Sequence, residues 1–483
     1  MKNINNQSLF RQQCYINGKW IDADNKKTFP VLNPYDAKVL GYVPACGKEE
    51  TQRAILAAEV AWQPWRALTA KQRANHLWHW ADLIAKNKED LAMLMTLEQG
   101  KPLAEARSEI DYGNSFITWF AEEGRRIYGD IIPSNQPGQH LLVIKQPIGV
   151  VALITPWNFP FAMITRKCAP ALAAGCTVVI KPAEDTPFSA LALMALAEEA
   201  GIPPGVINIV TGKPEVIGAE LTSNKLVRKL SFTGSTAVGK LLMQHCASTV
   251  KKVSLELGGN APFIVFADAD MEAAVQGVIA SKFRNTGQTC VCANRIYVQD
   301  KIQDDFARKL VAAVKELRVG NGLVDNVQLG PLINAAAVEK VQSHISDAVV
   351  KGAKILCGGK KSTAGEYCFE PTVITGMNAT MQIAREETFG PVAPLFRFHD
   401  EEDVIRMAND TEFGLAAYFY SRDIQRIWRV AEALEYGIVG INAGIISNEV
   451  APFGGYKESG IGREGSKYGI DEYLEIKYLC MGS

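Results

Sequence analysis

The sequence predicts an α/β fold with a doubly wound parallel sheet, on two observations. Short apolar stretches alternate with amphipathic helical stretches along most of the chain, and turn residues separate them. Such alternation is typical of a parallel sheet that carries helices on both faces. The predicted strands are Ile148–Ile154, Thr177–Ile180, Val206–Val210, Lys229–Phe232, Val253–Leu257, Phe263–Phe266 and Arg295–Val298.

Capping residues mark the ends of two predicted helices. Thr186 suits the cap of a helix over Phe188–Ala200, since a proline follows the threonine and glycine and proline stop the helix. Thr69 and Gln72 resemble a capping box, in which each side chain bonds the backbone N–H of the other residue. This box precedes a long helix that we expect to end near Gly100.

The composition is that of an ordinary globular protein. The 483 residues are enough for two or three domains, with 47% hydrophobic and 21% charged residues. A formal net charge of −1 argues against a broad nucleic-acid-binding surface. The apolar run Ile148–Thr165 is uncharged, but Gly149, Pro156 and Pro160 interrupt it, so no membrane span is expected.

The cysteines and the N-terminus favour a cytoplasmic protein. Ten cysteines are scattered over the chain and form no dense framework, which indicates free thiols in a reducing compartment. Met1–Gln13 is polar and lacks the apolar centre of a secretion signal. His76 and His79 lie three residues apart on a helix but stand beside tryptophans, so no metal site is predicted.

Two segments interrupt the alternating pattern. Tyr128–Lys145 and Tyr468–Cys480 have β character but complete no obvious local core. We therefore expect both to be strands that pair with another subunit of a homo-oligomer. No long linker separates domains, and Gly258-Gly259 is a plausible hinge between two α/β halves.

A thiol, a carboxylate and an amide supply what covalent acyl chemistry needs. Cys290 follows glycine and polar residues, which favours a reactive thiol over a core thiol, and polar or cationic surroundings would lower the pKa of that thiol. Cys292, two residues on, would point the same way on an extended segment. It is either a packing residue or the partner of Cys290 in a strained disulfide that switches the nucleophile off.

The carboxylate and the amide each have a structural and a catalytic interpretation. Glu256 lies on an apolar strand, where it either joins a buried ion pair or acts as a general base with a raised pKa. Asn158 stands in a rigid turn between two prolines. It either forms that turn or donates its amide N–H to an oxyanion.

Two turns after predicted strands suit a dinucleotide. Gly234 and Ser235 follow a strand and precede a helix, which leaves backbone N–H groups for a phosphate, although the segment lacks the G-x-G-x-x-G fingerprint. Lys181 and Glu184 come just past a strand end, where open α/β sheets bind ligands. Glu184 would accept hydrogen bonds from a ribose and repel a 2′-phosphate, which favours NAD.

Together these segments resemble the aldehyde dehydrogenase superfamily, and the resemblance extends from Asn33-Pro34 to Gly454-Gly455. Several independent motifs occur in the family's order. They are Pro156-Trp157-Asn158-Phe159-Pro160, Lys181-Pro182-Ala183-Glu184, Phe232-Thr233-Gly234-Ser235, Leu255-Glu256-Leu257-Gly258-Gly259, Gly287-Gln288-Thr289-Cys290, Glu386-Glu387-Thr388-Phe389-Gly390-Pro391 and Pro452-Phe453-Gly454-Gly455.

The resemblance implies a Rossmann-type cofactor domain (residues 1–126 and 146–258), an α/β catalytic domain (residues 259–460) and a small β oligomerisation element (residues 127–145 and 461–483). It implies that Cys290 is the nucleophile, Glu256 the general base and Asn158 the oxyanion donor. The residues implied to bind NAD or NADP are Trp157, Lys181, Pro182, Ala183, Glu184, Gly234, Ser235, Leu257, Glu387 and Phe389.

Within the superfamily the chain is most similar to the succinate-semialdehyde dehydrogenases, because of Asn260-Ala261-Pro262 and Phe283-Arg284-Asn285. Arg166, Arg284 and Ser447 match the positions that hold the substrate carboxylate in that branch. Guanidinium groups beside the thiol suit an acidic semialdehyde, and structural ion pairing is their other interpretation. The resemblance also implies a dimer or a tetramer.

The implied reaction is the NAD(P)-dependent oxidation of succinate semialdehyde to succinate. Cys290 forms a thiohemiacetal, oxidation leaves a thioester, and Glu256 activates the water that hydrolyses it. Glutarate semialdehyde, one carbon longer, is an alternative substrate. Three other interpretations fit the residues less well. A CoA-acylating semialdehyde dehydrogenase generally lacks the Glu256 base, and a catalytically silent, crystallin-like protein would not need the thiol, the carboxylate and the amide together. A cofactor-independent thiol hydrolase would not need a dinucleotide site.

Overall fold

The computed structural model describes residues 4–482. Its strands are β1 Cys14–Ile16, β2 Lys19–Ile21, β3 Thr28–Leu32, β4 Val39–Pro44, β5 Asp130–Ile132, β6 Gln139–Pro147, β7 Val150–Ile154, β8 Thr177–Lys181, β9 Ile207–Ile209, β10 Val227–Thr233, β11 Lys252–Glu256, β12 Ala261–Val265, β13 Ala293–Gln299, β14 Lys354–Cys357, β15 Thr372–Thr375, β16 Val392–Phe398, β17 Phe413–Gly414, β18 Ala416–Tyr420, β19 Ile438–Ile441, β20 Tyr456–Lys457, β21 Gly460–Ile461 and β22 Leu474–Gly482.

The α-helices alternate with these strands. They are α1 Lys48–Ala67, α2 Ala70–Lys86, α3 Lys88–Gln99, α4 Leu103–Glu123, α5 Ala162–Ala174, α6 Pro187–Glu199, α7 Pro214–Ser223, α8 Thr236–Ala247, α9 Met271–Lys282, α10 Gln303–Lys315, α11 Ala335–Val350, α12 Gln382–Arg385, α13 Glu401–Asn409 and α14 Ile424–Ala433. None of the described helices is long and apolar enough to cross a membrane.

Two large sheets organise the chain. The first has the strand order β2-β1-β9-β8-β7-β10-β11-β21, and its strands from β9 to β11 run parallel. The second has the order β14-β15-β16-β13-β12-β18-β19 and is parallel from β15 to β19. All seven predicted strands are present in these parallel regions, with ends within two residues of the prediction. The predicted α/β class is therefore confirmed.

The two sheets meet where the chain crosses from β11 to β12. β11 ends at Glu256 and β12 begins at Ala261, so a four-residue connection carries the chain from one sheet to the other. The carboxyl ends of β7, β8, β10 and β11 therefore lie near the amino ends of β12 and β13. Open α/β sheets bind ligands at the carboxyl edge, so this junction is where a site is expected.

The long helix predicted after Thr69 is two helices. The capping box is present, since Gln72 N–H donates to Thr69 Oγ1 at 3.3 Å and Thr69 N–H donates to Gln72 Oε1 at 2.9 Å. The helix nevertheless breaks at Asn87, between α2 and α3. The Asn87 side chain donates to Leu83 O at 2.8 Å and accepts from Asn6 Nδ2 at 2.8 Å. Asparagine competes with the helix backbone in this way, and the single long helix was a wrong prediction.

Helix α6 begins as predicted with Thr186 at its N-cap position, but the Thr186 side chain does not cap it. Glu98 of α3 takes that role, because its carboxylate accepts from the N–H groups of Phe188 and Ser189 at 2.7 and 2.8 Å. A carboxylate beside the first N–H groups of a helix satisfies donors that have no partner within the helix.

The two β segments expected to pair with another subunit pair with each other. β22 runs antiparallel to β6 over nine residues, and β5 completes a three-stranded sheet. Both faces of this sheet expose large apolar side chains, Ile131 at 85% exposure on one face and Ile476 at 73% on the other. The implied domain boundaries stay a prediction, and residues 1–3 and 483, which they include, lie outside the described residues.

The Glu98 cap yields a stability prediction. Glu98→Ala leaves two buried N–H groups without an acceptor, so we expect it to destabilise the protein by about 2–3 kcal/mol and to lower the midpoint of thermal unfolding. Glu98→Gln keeps an acceptor oxygen and is expected to cost less. Differential scanning fluorimetry measures both variants, and an alanine variant as stable as the parent would show that this cap is not needed.

Candidate active site

Cys290 is half-buried in a tight turn before β13. The N–H of Cys292 donates to the carbonyl of Thr289 at 2.9 Å, which closes the turn. Gly287 has a φ of +76°, and a Cβ built there would lie 2.2 Å from Gly390 O, so only glycine fits this approach. The turn places the thiol on the wall of a cavity of about 380 Å³, which we call the thiol cavity.

Asn158 lines the thiol cavity together with Cys290. Its Oδ1 accepts from Phe159 N–H at 3.1 Å, and its Nδ2 donates to Gln288 O at 3.0 Å. A side-chain amide has two N–H donors, so the second is left for a ligand oxygen beside the thiol. The structure thus brings the predicted nucleophile and the predicted oxyanion donor together.

A buried ion pair supports the Asn158 turn. Lys101 Nζ donates to Asn158 O at 2.8 Å and to Glu109 at 2.5 Å, and both charged side chains are about 1% exposed. Glu109 also accepts from the N–H groups of Phe161 and Ala162 at 3.0 and 3.1 Å, at the start of α5. Sequence reasoning missed both residues, since they lie outside the recognised motifs and their only signal is charge on an otherwise buried segment.

Glu256, at the end of β11, is 3% exposed, and its Oε2 has no hydrogen-bond partner. Burial raises the pKa of this carboxyl well above its usual range, and the neighbouring Glu464 raises it further. This direction is the one predicted for a general base in an apolar setting. Glu256 is not among the residues that line the thiol cavity.

Two cations and a carboxylate lie beside Glu256. Arg166 Nε donates to Glu464 Oε2 at 2.7 Å, and Lys167 donates to the other oxygen of Glu464. Burial opposes ionisation of Glu464, but the two cations outweigh it and hold its pKa at about 2. Glu464 and Lys167 were missed in the sequence, although adjacent cations inside the apolar helix α5 were a usable signal.

The prediction of a lowered thiol pKa was wrong for the protein without ligands. Burial raises the pKa of Cys290 to about 12, and the positive charges of Arg166 and Arg284 only partly offset this. The polar neighbours in the sequence do not hydrate the sulfur, because Gln288 and Thr289 are themselves buried. The resting nucleophile is therefore a neutral thiol near pH 7.

Cys292 is turned away from Cys290. The segment is a turn, not the extended strand that was expected, and the Cys292 thiol donates to Lys282 O at 3.3 Å. Cys292 is 4% exposed and is absent from the thiol-cavity wall. All ten cysteines lie within the described residues and are free thiols there. A redox role for Cys292 stays a prediction.

The thiol cavity contains six of the ten predicted cofactor residues. They are Trp157, Gly234, Ser235, Leu257, Glu387 and Phe389. The other four, Lys181, Pro182, Ala183 and Glu184, lie outside this wall at the end of β8, next to the end of β7. Lys181 donates to Glu184 there, so the two side chains form an ion pair.

The thiol cavity fits a nucleotide cofactor on two observations. Thr233 Oγ1 lies on the wall and has no hydrogen-bond partner, so a polar ligand atom can satisfy it. Gly258 is also on the wall, and a Cβ built there would lie 3.1 Å from Glu387 Oε2 and narrow the cavity. Burial raises the pKa of Glu387 to about 7. No cluster of three metal-binding side chains occurs among residues 4–482.

A second cavity of about 540 Å³ contains Arg284 and Ser447, and we call it the arginine cavity. No ion pair within the described chain involves Arg284, which stacks over the Phe159 ring at 5.3 Å. Arg166 is not on this wall. It is 1% exposed and bound to Glu464, which is the structural ion pairing that the sequence left open. The predicted group of Arg166, Arg284 and Ser447 is therefore not assembled as one wall.

The two cavities share no wall residue, but some residues that line one are close in sequence to residues that line the other. Asn158 lines one and Phe159 the other, and likewise Cys290 and Arg284 lie on different cavities. A cysteine thiol and a side-chain amide on one cavity wall at the edge of a doubly wound sheet, with a second cavity lined by a nearby arginine, are typical of an α/β enzyme of the covalent-catalysis class.

Comparison with known proteins identifies the family. The model of the aldehyde dehydrogenase family matches residues 20–479, and the chain belongs to this family. It is 64% identical over 479 residues to a succinate-semialdehyde dehydrogenase [NADP(+)] of Escherichia coli, with 99% of each chain covered. It is 65% identical over 478 residues to a glutarate-semialdehyde dehydrogenase of Pseudomonas putida, again with 99% of each covered.

A solved structure confirms the fold. The crystal structure of an NADP-dependent enzyme of E. coli superposes with a TM-score of 0.99 at 64% identity, and the match covers 100% of both chains. The chain is thus an aldehyde dehydrogenase in fold and in family.

The raised pKa of Cys290 predicts how the thiol reacts with an alkylating agent. Because only the thiolate reacts, the rate of modification by iodoacetamide is expected to rise about tenfold per pH unit from pH 7 to 10, without a plateau. Peptide-resolved mass spectrometry of the cofactor-free protein follows Cys290, with the exposed Cys480 as a reference in the same sample. A plateau below pH 9 at Cys290 would contradict the raised pKa.

Proposed function

We propose that this aldehyde dehydrogenase oxidises succinate semialdehyde to succinate. The observation that carries the proposal is the arginine cavity, where no direct ion pair within the described chain holds the Arg284 guanidinium and Ser447 adds a hydroxyl. A substrate carboxylate supplies the missing charge, and a guanidinium binds a carboxylate through paired N–H donors. The name of the E. coli relative supports the same substrate.

Glutarate semialdehyde is the second candidate substrate. It carries the same carboxylate on a chain one carbon longer, and the P. putida relative is named for it. A cavity of about 540 Å³ has room for either length. Arg284 therefore selects for acidity in this proposal, and chain length is selected by the apolar part of the wall.

The first chemical step forms a bond between Cys290 Sγ and the aldehyde carbon. The thiol first loses its proton to water, the resulting thiolate attacks, and the electron pair of the C=O π bond moves onto the carbonyl oxygen. Asn158 Nδ2 and the Cys290 N–H stabilise that oxygen as a thiohemiacetal oxyanion. Because Lys101 and Asn285 both donate to Asn158 O, the amide is held before the substrate arrives.

The enzyme uses a nicotinamide nucleotide, held by the residues of the thiol cavity. When bound, it accepts the hydrogen and two electrons that leave the former aldehyde carbon. The Trp157 and Phe389 rings, 5.5 Å apart, and the Glu387 carboxylate form the wall that orients it. What remains on Cys290 is a thioester, and water must be excluded until this point.

Glu256 then acts on the thioester. Its raised pKa makes it a stronger base than an exposed carboxylate, so it removes a proton from the attacking water. The water oxygen bonds to the thioester carbon, the C–S bond breaks, and the acid leaves while Cys290 is released as a thiolate. Rotation of the side chain brings the unpartnered Oε2 towards Cys290. Arg166 contributes positive charge from behind the wall instead of touching the substrate, and it lowers the energy of the ionised Glu256.

The choice between NAD and NADP depends in this proposal on the Lys181–Glu184 pair. Glu184 alone would repel a 2′-phosphate and favour NAD, but Lys181 offsets part of its charge. The E. coli relative is named for NADP(+). Initial rates with NAD and NADP at equal concentrations measure the preference directly.

Assembly and location are also proposed. The large apolar side chains that both faces of the β5–β6–β22 sheet expose suit burial against other copies of the chain, as a dimer or a tetramer. Residues 127–145 and 461–483 would then be the oligomerisation element, beside a cofactor domain and a catalytic domain with the boundaries given above. Free thiols favour a cytoplasmic location.

Two substitutions separate the roles of the nucleophile and the base. Cys290→Ser is expected to abolish the absorbance increase at 340 nm on mixing with succinate semialdehyde and NAD or NADP. Glu256→Gln is expected to keep the pre-steady-state burst while it slows steady turnover by about 100-fold or more. Cys292→Ser is the matched control and should turn over normally. A lost burst in Glu256→Gln would contradict deacylation as its step.

The substrate proposal rests on Arg284. Arg284→Ala is expected to raise the KM for succinate semialdehyde by about 100-fold, because a charge-assisted contact is lost, and to leave the KM for butanal within about twofold. Steady-state kinetics with the C4 and C5 acidic semialdehydes and butanal measure this selectivity. Equal losses for acidic and neutral aldehydes would overturn the assignment of Arg284.

A further inference from the structure

Glu105 is a carboxylate inside the arginine cavity that the mechanism does not use. It lies in the first turn of α4 and lines the cavity together with Arg284. Both of its oxygens accept from the backbone N–H of Asn285, at 3.1 and 2.9 Å. This N–H belongs to the residue directly after Arg284, so Glu105 binds the backbone that carries the guanidinium.

The turn after Arg284 needs such a restraint. Asn285 and Thr286 have φ values of +49° and +57°, which residues with a side chain rarely adopt. Gln99 also contributes, since its Nε2 donates to Asn285 Oδ1 at 3.1 Å. The turn leads directly to Gly287 and the thiol, so its shape sets the position of the arginine relative to the reacting carbon.

Glu105 also faces charges. Arg284 comes from the turn, Lys101 from the segment before α4, and Glu109 from α4 itself. The other residues on the arginine-cavity wall carry no charge near neutral pH. They are apolar side chains, Ser108, Gln328, Ser447 and Tyr112, and burial raises the pKa of the Tyr112 phenol above its usual value. Burial raises the pKa of Glu105 to about 7, although Lys101 and Arg284 oppose the rise.

The protonation state of Glu105 therefore changes the charge that a substrate meets. With Glu105 ionised, the two carboxylates and the two cations balance. With Glu105 protonated, one positive charge is in excess, and an incoming carboxylate is attracted more strongly. The bond to Asn285 N–H survives in both states, because a protonated carboxyl keeps an acceptor oxygen.

The geometry points to Glu105 as a positioning residue for acidic substrates: it fixes the Arg284 turn and balances the Arg284 charge, so that binding of a substrate carboxylate is coupled to proton uptake. The inference rests on the proposed function, since it requires Arg284 to bind that carboxylate. It adds a pH dependence of substrate selectivity that a purely structural carboxylate would not produce.

The test compares Glu105→Gln and Glu105→Ala with the parent, using succinate semialdehyde and butanal from pH 6 to 9 at constant ionic strength. The measured quantity is the kcat/KM for succinate semialdehyde divided by that for butanal. Ionisations that affect both reactions equally cancel in this ratio. In the parent this ratio is expected to fall about three- to tenfold as pH rises. In Glu105→Gln it should stay high and constant, because the neutral amide keeps an acceptor for Asn285 N–H.

Glu105→Ala removes the restraint as well as the charge. We expect its KM for succinate semialdehyde to rise about tenfold at every pH, with kcat and the KM for butanal within about twofold of the parent. Glu122→Gln, a half-buried carboxylate on the same helix and outside the arginine cavity, is the matched control. A pH-dependent ratio in Glu105→Gln equal to that of the parent would overturn the inference, whether or not the alanine variant folds.

Arg284→Ala distinguishes a failure of the proposed substrate class from a failure of the inference about Glu105. If this variant keeps the parent's preference for the acidic aldehyde, the proposed substrate class fails, and the Glu105 inference fails with it. If it loses the preference while both Glu105 variants keep the parent's selectivity and pH dependence, only the inference about Glu105 is wrong.

Discussion

The buried ion pair between Lys101 and Glu109 is the constraint on which the site depends. It joins the start of α4 to a segment distant in sequence, which contains the Asn158 turn and, a few residues later, the first N–H groups of α5. The attraction within a buried ion pair offsets the free-energy cost of desolvation only when further hydrogen bonds satisfy both charged groups. Here a carbonyl accepts from Lys101, and two helix N–H groups donate to Glu109. Without Lys101, the oxyanion amide would lose its backbone support and Glu109 would be an unpaired buried charge.

Two further buried carboxyl groups, Glu464 and Glu256, differ in whether a cation bonds to them. Glu464 and Glu256 are both carboxylates in the same low-dielectric interior, yet their pKa values move in opposite directions, because Lys167 and Arg166 bond to Glu464 and not to Glu256. Environments that separate the pKa values of neighbouring acids also separate their roles. Glu464 is a permanent counter-ion, while Glu256 remains free to take up a proton.

Local sequence patterns were enough for the strands and for the thiol, amide and carboxylate. Apolar strands buried on both faces leave a clear signal, and the turns at their ends follow from chain order. These patterns failed where the hydrogen bonds of a side chain come from a residue that is distant in sequence. Asn87 breaks a helix through Asn6, Glu98 caps α6 in place of Thr186, and Glu464 holds Arg166 inside the core. None of these partners lies within one helical turn of the residue it controls.

The separation of the two cavities has a consequence for how such an enzyme diverges. In the proposed function the nucleotide binds in the thiol cavity and the organic acid in the arginine cavity, and these two walls have no residue in common. Mutations that reshape the acid side therefore need not disturb redox chemistry, and a lineage can move between carbon skeletons while its electron-transfer machinery remains under unchanged selection. A change of substrate can therefore be confined to the residues of one cavity wall, although both walls belong to a single continuous chain.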